Sequence, residues 1–135
     1  MKMAVIEWTV NELSIKKKAF DTEEKTSNGS FRLDVKNSFN PDGKRFYVCF
    51  DLTLDDPSYN LYVEAVYAFD VIEGEINEEF KKSHFPKVNA PAIAFPYLRA
   101  MVSTITLQAG LKTVMLPSIN FASKSEDKPI VGEKN

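Results

Sequence analysis

Few side chains in this sequence could carry out catalysis or bind a metal, and their spacing does not bring them together. His84 is the single histidine, in the run Lys81-Lys82-Ser83-His84. An imidazole acts as a general base when a nucleophile stands within hydrogen-bond reach and a third group orients the ring. No serine or cysteine sits at the spacing of such a motif, so His84 reads as a surface or packing residue. Cys49 is the single cysteine and lies on an alternating apolar segment beside Phe50, which makes it a half-buried structural thiol rather than a nucleophile. Glu73, Glu75, Glu78 and Glu79 cluster in "IEGEINEE" but lack the spacing of a calcium loop and have no histidine partner for a metal. With five glycines in the chain there is no phosphate-cradling loop. The sequence therefore predicts no catalytic residue, no metal site and no cofactor, and the protein reads as a non-enzyme.

The elements that hold these residues come from one domain-sized chain of 135 residues. Apolar residues make up 44% and charged residues 27%, enough for a core and typical of a folded protein. The net charge of −2 and the scattered lysines and arginines, with Lys16-Lys17-Lys18 the one basic run, predict no nucleic-acid partner. A single cysteine excludes an internal disulfide. The N-terminal stretch reaches Glu7 before any apolar run long enough for a signal peptide or membrane span. The expectation is a cytoplasmic protein without membrane insertion.

Four segments alternate with the period of a half-buried strand. Phe46, Val48, Phe50, Leu52 and Leu54 share one face. So do Leu61, Val63, Ala65, Tyr67, Phe69 and Val71, and so do Phe31, Leu33 and Val35. In the first segment Ile6, Trp8 and Val10 are in phase, then Leu13 and Ile15 take over, which predicts a bulge near Asn11 or Glu12. Turn residues at Asn28-Gly29, Pro41-Asp42-Gly43 and Asp55-Asp56-Pro57-Ser58 join these segments, predicting a four-stranded antiparallel meander. Residues 76–85 have the pattern of a brief helix. The stretch 122–135 is polar and reads as a disordered tail after a single domain over 1–121.

The segment "NAPAIAFPYLRAMVSTITLQAG", 89–110, is the long helix. Proline is tolerated near a helix start and glycine near its end, placing the helix from about Pro96 to Gly110. Arg99, Ser103 and Thr106 form one narrow polar stripe, while Leu98, Met101, Val102 and Ile105 lie on an apolar arc wider than one sheet needs to cover. Two covers are open for the surplus. A second copy of the chain would make those four residues an oligomer interface, or residues 111–121 could fold back over the helix.

Ala94-Phe95-Pro96-Tyr97-Leu98-Arg99, then Val102-Ser103-Thr104, Gly110 and the closing Leu116-Pro117-Ser118-Ile119-Asn120-Phe121 resemble the SecB protein-export chaperone family, and "NELSIKK" is similar to the family's first strand. The resemblance implies an α+β fold in which an antiparallel sheet is backed by one long helix. It implies a homotetramer, a dimer of dimers with the helices between the sheets. The implied function is an ATP-independent holdase for unfolded precursor proteins, with SecA a possible partner. The sequence departs from the family in having no second long helix and no Cys/His-bearing acidic tail after Phe121. A chaperone dedicated to one partner, such as the antitoxin of a toxin–antitoxin system, is the alternative. A holdase needs aromatic surface that can repack around varied segments. Trp8, Tyr62, Phe80 and Phe85 are the candidate client contacts, in a groove between the first strand and residues 76–88, aided by strand addition at a sheet edge.

Overall fold

The computed structural model describes residues 2–19, 29–41, 43–123 and 128–134. Asn28 and Asp42 of the expected turns, and residues 124–127 and 135 of the expected tail, lie outside the described residues. The alternating segments are strands: β1 (Lys2–Lys17), β2 (Ser30–Phe39), β3 (Arg45–Asp55) and β4 (Tyr59–Glu73). A short helix α1 (Glu78–Lys82) starts on Asn77, whose side-chain oxygen accepts the Phe80 N–H at 2.8 Å. A single π-type turn, Phe85–Asn89, leads into α2 (Ala90–Gln108). A fifth strand, β5 (Ile130–Glu133), closes the described chain.

The expected architecture, an antiparallel sheet backed by one long helix, is the one observed, but its strand order and number differ. The order is β1-β4-β3-β2-β5, all pairs antiparallel. β2, β3 and β4 form hairpins as expected, whereas β1 crosses to lie beside β4, a Greek-key return in place of a simple meander. The two long strands, β1 and β4, thereby pair from Lys2↔Glu73 to Lys17↔Tyr59. The expected bulge is present as a register shift between Val10 and Glu12, and two further shifts fall between Val5 and Glu7 and between Lys2 and Met3. The disordered tail is corrected at its far end, since residues 130–133 pair with β2.

One face of the sheet is the core. Phe46, Val48, Phe50, Leu52, Leu61, Val63 and Phe69 are completely shielded, as their alternation requires. α2 begins six residues before Pro96, correcting the expected start. Pro96 forgoes one backbone bond, to the carbonyl of Ala92. Both residues are on the exposed side of the helix, where water can take that carbonyl. The end is as expected: Gly110 has φ of 77°, its N–H donates to Leu107 O, and the Leu111 N–H donates back to Thr106 O. That pairing is a Schellman stop, and its left-handed residue favours glycine. No described helix is long and apolar enough to cross a membrane.

Candidate functional site

The polar stripe of α2 anchors the segment that follows the helix. Thr106 is fully buried. Its hydroxyl donates to Val102 O at 2.8 Å and accepts the Val114 N–H at 3.1 Å. Ser103 donates to Val114 O at 2.6 Å. Residues 111–121 therefore fold back along this stripe, with Val114, Leu116 and Phe121 buried. The second of the two covers is the one the protomer itself supplies.

With one flank taken by the return segment and another by the sheet, the four expected interface residues turn inward. Leu98 and Val102 are buried in the core, and Met101 and Ile105 are half-buried against it. Leu98 and Val102 cannot form an oligomer interface, because the protomer's own sheet already covers them. The surface α2 leaves open is Ile93, Tyr97, Ala100, Thr104 and Leu107, spaced three or four residues apart, with Tyr97 42% and Leu107 60% exposed. That spacing was visible in the sequence, but the residue types of this stripe, apolar and polar together, do not mark it as the open side.

Of the four candidate client contacts, the structure leaves one open. Trp8 is 53% exposed, stacked on Tyr97 with ring centroids 4.9 Å apart and on Tyr67 at 6.2 Å. Around it Ile6, Val10 and Leu13 of β1 are also exposed, so the outer part of the sheet's inner face is apolar and uncovered. β1 has no strand on its outer side among the described residues. Tyr62 is on the opposite face of the sheet, half-buried, its hydroxyl 3.4 Å from Asp51. Phe80 is a core residue, wedged edge-on against Phe46 at 5.4 Å and against Phe39 at 6.5 Å. Phe85 is half-buried and stacks on Phe80 at 6.1 Å. The expected groove between β1 and residues 76–88 does not form. That segment packs over β2 and β3, and β4 separates it from β1.

The cleft that does form beside this segment, about 610 Å³, runs along β2 and is lined by Val35, Lys36, Asn37, Lys82, His84 and Phe121. Asn37 bridges it, donating to Pro86 O at 2.9 Å. His84 is exposed in this lysine-rich rim. On the outer face of the sheet, Cys49, Asp51 and Glu64 bring one sulfur and two carboxylates within 4.8 Å of one another. Burial first, then the charges of Asp51 and Glu64, push the Cys49 thiol up to about 11. A thiol held protonated is a poor nucleophile at neutral pH. Among the described residues the arrangement offers surfaces for chain contact.

Residues 12–126 match the SecB family, described as preprotein translocase subunit SecB. Over 75 residues the chain is 43% identical to an uncharacterised protein of Methanocaldococcus jannaschii, covering 56% of this chain and 46% of that protein. It is 29% identical over 70 residues to the protein-export protein SecB of Anaplasma phagocytophilum, covering 52% of this chain and 44% of that one. The matches thus span less than half the length of these two relatives. Among solved structures, a SecB-like chaperone of Mycobacterium tuberculosis in complex with a peptide from the HigA1 antitoxin superposes with a TM-score of 0.69 at 14% identity. That likeness covers 87% of this chain and 90% of the chaperone. A protein of unknown function from Streptococcus agalactiae superposes at 0.53 with 16% identity over 87% of this chain and 98% of its own. At these identities the likeness is one of fold.

Proposed function

The chain belongs to the SecB family, and on that premise we propose that it is an ATP-independent cytoplasmic chaperone, not an enzyme, that holds unfolded polypeptide. The observation that carries this reading is the band of Ile6, Trp8, Val10 and Leu13 along the open β1 edge. These apolar side chains remain in water on a strand whose backbone can still pair. Exposed large hydrophobics beside free backbone groups suit extended segments of varied sequence, which a pocket of fixed polar groups would not. Trp8 is the client contact kept from the sequence reading. The stripe Ile93, Tyr97, Ala100, Thr104 and Leu107 replaces Leu98, Met101, Val102 and Ile105 as the surface for other copies, in a tetramer built as a dimer of dimers.

The test is to follow aggregation of several unrelated reduced, unfolded proteins without nucleotide. Substoichiometric to equimolar protein should slow all of them, and Trp8→Ala should slow them less while light scattering still reports a tetramer. If Trp8→Ala instead dissociates the assembly, Trp8 belongs to the contact between copies. The second reading, a chaperone dedicated to one partner such as an antitoxin, is favoured by the likeness to the M. tuberculosis chaperone that carries an antitoxin peptide. Failure to slow any unfolded protein, together with tight binding of one cognate protein, would replace the first reading with the second. SecA enters neither experiment, and its role is tested separately by direct binding.

A further inference from the structure

β5 covers part of the outer edge of β2, pairing Ser30↔Glu133, Phe31↔Gly132, Arg32↔Val131 and Leu33↔Ile130. Among the described residues, β2 pairs from Asp34 to Phe39 with β3 alone, so the same edge continues open beyond β5. The strand is short and poorly buried. Val131 is 68% exposed and Ile130 is only partly buried against the core. Between β5 and residues 117–123 lies a cleft of about 470 Å³. A strand of this kind belongs to the low end of local stability.

Two contacts beyond the backbone fix its position. Gly132 lies flat on Phe31, where an added Cβ would come within 2.8 Å of the ring. Lys134, although a lysine, has a side chain only 5% exposed: Nζ pairs with Asp56 Oδ1 at 2.5 Å and sits 5.6 Å from the centre of the Tyr59 ring. Its backbone N–H donates to Gly29 O at 3.2 Å. Asp56 is itself held by the Ser58 N–H at 2.8 Å and hydroxyl at 2.7 Å, so the acceptor is fixed before any cation arrives. Neither a flat contact on an aromatic ring nor a preset carboxylate is needed for strand pairing as such. Together they make a receptor for an extended segment with a small residue opposite Phe31 and a Lys or Arg two positions later.

We propose that residues 128–134 are an exchangeable strand that occupies this receptor on the β2 edge and yields it to an extended segment of a bound polypeptide carrying the same small-x-cation pattern. This rests on the proposed holding function only in so far as the incoming segment belongs to a client. The resident strand keeps the edge from pairing indiscriminately, the liability of any open sheet edge. A client gains the site by mass action at high local concentration.

The test uses full-length chains and a labelled peptide with the sequence of residues 128–134. Gly132→Val in the full chain should expel β5 through its clash with Phe31, and that chain should bind the peptide about tenfold or more tighter than wild type does. Peptides carrying Gly132→Val or Lys134→Glu should lose that gain. Should the valine chain be unstable, Lys134→Met in the full chain removes the anchor alone and should also tighten binding of the unaltered peptide. Equal binding by wild type and both released chains, or indifference to the two peptide substitutions, would overturn the proposal. An unfolded model protein in the same assay separates the two readings. If it is held equally by all chains while the peptide discriminates none of them, exchange is wrong and holding stands. If the peptide discriminates but no chain holds the unfolded protein, the edge receptor stands and the general holding function is wrong.

Discussion

Thr106→Val offers the most direct measure of how the long helix is covered. The substitution keeps shape and β-branching but removes the hydroxyl, so the Val114 N–H, which donates to it at 3.1 Å, is left buried without a partner. The hydroxyl's own donation, to Val102 O at 2.8 Å and Ser103 O at 3.1 Å, costs little to lose because a helix carbonyl already has a backbone donor. Leaving one buried amide unsatisfied costs about 1–3 kcal/mol. At roughly 3–5 °C per kcal/mol for a domain of this size, melting should fall by about 3–15 °C. Ser103→Ala, which loses the 2.6 Å bond to Val114 O at a less buried position, should cost about 1 kcal/mol. The double variant should lose less than the sum, because both bonds anchor the same residue. Thr104→Val, on the exposed side, is the control and should change little. Circular dichroism melts of the four variants and wild type, with amide exchange at residues 111–116, decide the matter. A Thr106→Val protein that melts with wild type would show that the return segment does not dock on the helix's polar stripe.

Three further outcomes are expected. Leu107→Asp, on the open stripe, should dissociate the proposed tetramer with the protomer still folded. Leu98→Ala, in the core, should destabilise the protomer by about 2–5 kcal/mol; scattering and melts that reverse the two would misplace the interface. Burial alone would raise the Asp56 carboxyl, but hydrogen bonds from Lys134 and Ser58 outweigh it and hold the pKa below the ordinary carboxylate range. A depressed acid stabilises above its unfolded pKa, about 3.9, and loses that contribution as pH falls through the folded value. Amides of residues 130–133 should therefore lose protection below about pH 4, ahead of β3. The same loss in Asp56→Asn at neutral pH would tie it to the Asp56–Lys134 pair rather than to Lys18–Asp55 nearby; full protection in Asp56→Asn would refute it. Cys49, with its thiol pushed up to about 11, should be alkylated by iodoacetamide at pH 7 at least ~100-fold more slowly than free cysteine, whose pKa is about 8.5. Mass spectrometry showing a free-thiol rate would overturn that account.

What the sequence determined by itself is everything set by local period. Phe46 to Leu54 and Leu61 to Val71 put their apolar residues on one face because a strand alternates whatever it pairs with. Gly110 ended the helix because a left-handed residue there favours glycine. The phase slip at Glu12 showed as a bulge for the same local reason. The family resemblance was legible at 94–121, where proline, arginine, glycine and the closing Pro-x-Ile-Asn-Phe stand close together in the chain. What only the tertiary structure decided is which surfaces meet across long separations. β1 chose β4 over β2, and Phe80 entered the core through Phe46. Thr106 was one residue of a polar stripe until residues 111–121 returned to use its hydroxyl. Residues 130–133 looked like tail until Phe31 and Asp56 supplied what a glycine and a lysine could bind. Hydropathy along a chain measures what a side chain would prefer, but a polar group with a well-placed partner is buried at little cost. Only the fold brings that partner to it.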